Sequence, residues 1–305
     1  MNISKKALMS FLMALTSLIA MAQPYYHVMK QDGNNLTEEA MYDGGTYKIK
    51  IDMNKPKPKD AIGGEITIVS YDCDYSELKR SFYFTTKGNV YYNNSEGKFH
   101  FEESQLDYPT GKYSKDHCGH FRWQDTIERC LDTGNKNFVP WAAVERTETF
   151  FYFANPENLP KLQEDLGNEK WAVLSACEWY YVLNTLAEGG WSVNHKRCIL
   201  IDTTPGKSLL TPLRNKHLGE TSDLSIEEFK LLEARGLVCL PLAGERNGTE
   251  LWWREQYCFC WSCTPIKHAQ YGGLVYSFGC GGSFLTPFAE GELDGNTVRL
   301  VVLVD

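Results

Sequence analysis

Beyond its first residues the chain has no apolar run long enough to cross a bilayer. The apolar C-terminus, Val298 to Val304, is only strand length and is interrupted by Arg299. A basic surplus is missing too: 31 Lys and Arg face 39 Asp and Glu. Neither nucleic acid nor an anionic membrane surface would attract such a chain, and no nucleic-acid partner is expected. The sequence contains no Gly-x-Ser-x-Gly elbow and no Cys-His pairing framed by a motif, so no catalytic residue is assigned. Gly206-Lys207-Ser208 imitates the end of a phosphate loop. However, the glycine needed five positions earlier is Ile201, and Pro205 removes an amide from any cradle, so the segment reads as a turn.

What is present begins with a leader. Lys5 and Lys6 precede an apolar core from Ala7 to Ile19, and Ala20-Met21-Ala22 forms a small-x-small cleavage site before Gln23. Residues 1–22 are expected to be a secretory signal, placing the protein in the periplasm, on the cell surface or in the medium. No cysteine stands immediately after that site, so no lipid anchor is indicated. Taking Lys5 and Lys6 from the 31 basic residues leaves 29 against 39 acidic ones, a balance of −10. All ten cysteines survive cleavage, and an exported chain with an even number is permissive for disulfide bonds. Cys177, Cys198, Cys239 and Cys258 lie in apolar contexts that suit core positions.

From Gln23 to Lys79 the pattern is β. Tyr47, Ile49, Ile51 and Met53 alternate with Lys48, Lys50 and Asp52, and Lys55 to Lys59 is a proline-interrupted linker. Short aromatic strands follow at 81–85, 89–92 and 98–101, with a hairpin turn over 93–97. Residues 109–146 are irregular, with Cys118 and Cys130 as candidates to brace them. Two capping boxes, Ser175 with Glu178 and Ser225 with Glu228, predict helices. The first is expected to run to about Ala187 and stop at Gly189-Gly190, the second to end at Gly236. Leu237 to Leu240 is apolar on both faces and predicts a strand inside a sheet.

The ordered pieces FYFTTKGNVYYNNSEGKFHFEESQLDY, WAVLSACEWYYVLN, LSIEEFKLLEARGLVCLPLAGERNG, YCFCWSCTP and GNTVRLV carry a resemblance over roughly residues 82–302. Together they resemble the secreted bacterial family known as the Fibrobacter succinogenes major paralogous domain. The resemblance implies an α+β, C-type lectin-like fold, with two helices flanking a small twisted, mainly antiparallel sheet. The expected division is a signal at 1–22, an N-terminal β segment at 23–79 and the lectin-like domain at 80–305. The family's Trp-Ser-Ser-Thr is here Trp261-Ser262-Cys263-Thr264. The acidic and amide pairs of calcium-dependent lectins have no counterpart, because Asn155-Pro156-Glu157-Asn158 precedes the first helix. Lectin activity therefore does not carry over with the fold.

Cys260-x-x-Cys263 invites a redox reading, or with Cys258 and His268 a zinc reading. On a strand, however, Cys258, Cys260 and Ser262 face one way and Phe259, Trp261 and Cys263 the other. Buried or cross-strand cysteine is the expectation. Within Asp116-His117-Cys118-Gly119-His120 the His and Cys side chains are three possible ligands, no fourth is fixed by spacing, and the segment reads as a surface loop. No metal or cofactor is assigned. The candidate ligand-contact residues are Arg246, Asn247, Trp252, Trp253, Arg254 and Glu255, in the loop 245–257 between two buried strands. One tryptophan is expected in the core and the other exposed, fit to stack on a sugar face or form a protein hot spot. Arg246 and Asn247 have a second reading, that they merely fix a turn.

The expected function is an exported, non-enzymatic binding or surface-interaction protein whose partner is a glycan or a host or cell-surface protein. Gly281-Gly282-Ser283-Phe284 with Gly295 to Arg299 also resembles the end of formylglycine-generating enzymes, which share the lectin-like fold. An oxidase-like enzyme using a cysteine pair is therefore an alternative, and a structural component of a cell-surface assembly is another.

Overall fold

The computed structural model describes residues 26–32, 35–42, 45–71, 77–108, 114, 116–121, 160–167, 169–216, 222–247, 250–268, 272–281, 284–290 and 295–304. Residues 1–22, expected to be a signal, and Cys130 lie outside them. The molecule is mixed α+β, with most strands in antiparallel sheets and few helices.

The largest sheet opens with an antiparallel meander: β1 (Tyr26–Asp32), β2 (Asn35–Tyr42), β3 (Gly45–Asp52), β4 (Ala61–Tyr71) and β5 (Glu77–Thr85). Alternation on β3 works as expected: Ile49 and Ile51 are buried while Lys48 and Lys50 are exposed. Ile51, Ile66 and Phe82 sit opposite one another across β3, β4 and β5. The sheet runs without interruption through the expected boundary at residues 79–80, because that boundary lies inside β5. A short hairpin follows, β6 (Val90–Asn93) on β7 (Lys98–Phe101), with Gly97 left-handed in its turn.

Helix α1 (Pro160–Leu166), strand β8 (Trp171–Val173) and helix α2 (Ala176–Tyr181) come next. Both arms of the α2 capping box form: Glu178 N–H donates to the Ser175 hydroxyl at 3.2 Å, and Ser175 N–H donates to the Glu178 carboxylate at 2.7 Å. The same carboxylate accepts from Arg80 at 2.9 Å, so the cap also ties α2 to β5. The helix does not reach Ala187 as an α-helix. It widens into one π-turn, Val182–Leu186, which sends Val182, Leu183 and Leu186 into the core. Gly189 and Gly190 then belong to strand β9 (Ala187–Val193).

β9 pairs with β10 (Lys196–Asp202), and the sheet is completed by β11 (Ser222–Leu224) and β12 (Leu237–Pro241) in the order β11-β9-β10-β12. Pro205–Lys207 is a single 3-10 turn, and the Lys207 ammonium donates to the Ala187 carbonyl at 3.2 Å, as suits a turn rather than a phosphate cradle. Helix α3 (Leu210–Lys216) was not expected. Its entry is capped from a distance by Asp202, which accepts the Leu209 and Leu210 amides at 2.8 and 3.0 Å. Helix α4 (Ile226–Glu233) forms its own capping box at Ser225 and Glu228.

The remaining strands are β13 (Glu245–Asn247) on β14 (Glu250–Trp252), a three-stranded sheet of β15 (Tyr257–His268), β16 (Gly272–Gly281) and β17 (Phe284–Glu290), and β18 (Leu300–Val304). β18 slots between β5 and β8, closing the large sheet with the chain's end. The alternation expected on β15 holds where side chains are described. Cys258 and Cys260 enter one core cluster, and Trp261 enters another.

Candidate functional site

The segment 242–257 connects β12 to β15 as a tight structure held by main-chain bonds. Arg246 faces Leu251 and Glu245 faces Trp252 across the β13–β14 pair. Gly244 N–H donates to the Tyr257 carbonyl at 2.9 Å, and Glu255 N–H donates to the Leu242 carbonyl at 2.7 Å. Gly244 has φ 71°, and a Cβ there would lie 2.1 Å from the Trp252 carbonyl oxygen, so only glycine fits.

The expectation that one tryptophan enters the core is corrected. Trp252 and Trp253 are 43% and 49% exposed. The strict alternation of an extended strand fails here because Trp253 has φ 57° and Glu255 φ 60°. Left-handed backbone turns the chain between the two indoles and presents both outward. Such φ values cost L-residues about 1–2 kcal/mol each, and strain of this kind clusters where a surface is used. The Gln256 and Tyr257 amides both donate to the Trp253 carbonyl, at 2.9 and 3.0 Å, which holds the turn. The Trp253 ring meets Tyr257 edge-on at 5.7 Å, and Tyr257 continues to Phe259 at 5.7 Å. On the other side the Trp252 indole N–H donates to Glu250 at 3.1 Å. Arg254 and Glu255 stand 3.9 Å apart and half-exposed, a pair worth little for stability.

Arg246 does not join that surface. It is buried, and its backbone exchanges bonds with Gly295 at 2.7 and 2.8 Å, so for Arg246 the turn-fixing reading is the one the geometry favours. Asn247 pairs through its backbone with Glu250, and its side chain lies outside the described set. The structure therefore brings Trp252, Trp253, Arg254 and Glu255 together at the surface and keeps Arg246 beneath them.

Two residues lie beneath this segment: His120, which the sequence suggested only as a possible metal ligand, and Tyr108, which it did not single out. His120 is buried; desolvation first, and then the Arg246 charge, push its pKa down to about 3, so it is neutral under ordinary conditions. Tyr108 is buried beside Arg254 and Glu255, and burial raises its pKa. The Asp116–His120 loop does not gather its side chains. His117 turns to Glu102 at 2.6 Å and packs on the Tyr91 ring at 4.2 Å, Asp116 accepts from Ser95, and His120 points inward.

No family model, curated protein or solved structure matches this chain. The surface presents flat aromatic faces, one cation and two carboxylates on a braced turn. Among the described residues no helix is long and apolar enough to cross a membrane.

Proposed function

We propose that the protein is an exported, non-enzymatic binding protein with a C-type lectin-like architecture over roughly residues 82–302, whose sheet is continuous with the N-terminal β strands. Its contact surface is Trp252, Trp253, Arg254 and Glu255. One observation carries this reading: two adjacent, half-exposed indoles held outward by left-handed backbone. Large aromatic side chains lose little entropy on binding and dominate both sugar stacking and protein hot spots. The leader at 1–22 and the acidic balance support export and disfavour nucleic acid. The ordered motifs shared with the major paralogous domain family support the lectin-like architecture.

The cysteine-pair enzyme is the weaker reading. Cys258 and Cys260 are about 1% exposed, and the hydrogen bond with Cys258, followed by burial, raises the Cys260 thiol well above its ordinary range. A nucleophile needs the reverse, a lowered pKa and an open approach. A screen of the chain from Gln23 against glycans and cell-surface proteins, with and without calcium, tests the proposal. A ligand is expected whose affinity falls about 30-fold, near 2 kcal/mol, in Trp252→Ala or Trp253→Ala. Self-association as the sole interaction would favour a structural component instead.

A further inference from the structure

The two exposed indoles are held by their edges, which leaves ring faces for a ligand. The Trp252 N–H lies in the plane of its ring, so the bond to Glu250 Oε2 at 3.1 Å occupies an edge. Trp253 meets Tyr257 at an interplanar angle of 87°. A perpendicular contact covers at most one face of either ring, and both tryptophans remain half-exposed. Tyr257 in turn lies 5.7 Å from Phe259, which is buried at the root of β15, so the wall behind Trp253 is anchored in the sheet.

The charges beside these faces select among ligands. Residues 250–257 carry two exposed carboxylates, Glu250 and Glu255, against one cation, Arg254, which already stands 3.9 Å from Glu255. The segment is therefore acidic on balance, in a chain whose net charge is −8. The face of an aromatic ring attracts a cation, and tryptophan does so most strongly. The Glu250 carboxylate, bonded along the edge of one indole, adds its charge to that attraction. A neutral sugar gains nothing from the net charge, and an acidic partner is repelled by it. We propose that this surface binds a basic segment of a partner protein, with a Lys or Arg side chain laid across the Trp252 and Trp253 faces and Glu250 and Glu255 as its counter-ions. The apolar stem of such a side chain packs on the rings while its charged head stays within reach of a carboxylate. This assignment rests on the binding role proposed above and names the class of ligand for it.

The test titrates the chain from Gln23 into a fluorescently labelled peptide of alternating Lys and Gly, read by anisotropy. Saturable binding is expected that weakens with added salt and is lost when the lysines are acetylated. Trp252→Ala with Trp253→Ala should weaken it about tenfold or more. Glu250→Gln with Glu255→Gln keeps the side-chain size and an acceptor for the Trp252 N–H while removing both charges. That variant should bind about fivefold more weakly and with a flatter salt dependence, which a loss of packing alone would not produce. Equal binding of the acetylated peptide, an unaffected glutamine variant, or peptide binding that survives the double tryptophan variant would overturn the assignment. Phosphatidylcholine vesicles bound in preference to the peptide would move the cation to a lipid headgroup and overturn the protein partner. A neutral or acidic ligand that needs both tryptophans would also overturn the cationic class, yet leave the binding role standing. That role falls only if no ligand in the screen depends on the tryptophans.

Discussion

Trp253 and Glu255 give up the alternation of a strand, and that local choice exposes both indoles. The reading of one indole in and one out rested on extended geometry. Neither residue type favours positive φ, so the left-handed turn left no mark in the residues that adopt it. Its mark was instead at Gly244, inside the LPLAGERNG stretch. Two substitutions separate strain from support. Glu255→Gly relieves a φ of 60° at an exposed position with only a long ion pair, and should stabilise the protein by about 1 kcal/mol or less in urea titration. Gly244→Ala drives a methyl to 2.1 Å from the Trp252 carbonyl and should destabilise it by about 2 kcal/mol or more.

The elements that the sequence made legible are those with local signals. Both capping boxes formed, the lysine-isoleucine alternation of β3 appeared on the expected faces, and the 93–97 turn joined β6 to β7. Helix α3 was missed because its cap is Asp202, seven and eight residues upstream of the amides it holds. The segment 116–121 was legible as a loop but not as a proton-linked one, since the partners of its histidines are distant in sequence. The two histidines act in opposite senses. His117 is held above its ordinary value of 6.5, chiefly by its hydrogen bond to Glu102, so its contribution is complete below that value. It is lost as pH rises through the higher folded pKa. His120, depressed to about 3, stays neutral while the unfolded chain takes up a proton below 6.5. Its contribution is present above 6.5 and declines between 6.5 and 3, by on the order of 4 kcal/mol in total. Stability measured against pH should fall on the acid side less steeply in His120→Gln. The alkaline decline just above 6.5 should disappear in His117→Gln. Unchanged acid slopes in the His120 variant would contradict the assignment.

Across the whole molecule, segments far apart in sequence join in one sheet. β18 pairs with β5 through Val302 and Tyr83 and with β8 through Val302 and Trp171, and Leu300, Val301 and Val302 are buried. Arg299 and Gln105 extend that seam to β12, because Gln105 also accepts the Cys239 amide at 3.1 Å. No periodicity announces such a strand insertion; the final VRLVVLV reads equally well as an edge. A chain ending at Arg299 would leave β5 and β8 unpaired on that side and is expected to lose cooperative unfolding in calorimetry. A truncated chain melting near the full-length temperature would show the seam to be dispensable.

The scaffold braces the segment 242–257 on β12, β15 and the 295–297 bridges, and the braced turn presents its indoles. The most direct test is the affinity of the chain from Gln23 for a ligand found by screening, compared with the Trp252→Ala, Trp253→Ala double variant. Loss of measurable binding with an unchanged thermal melt is the predicted result. Binding that survives both substitutions at wild-type affinity would contradict the account.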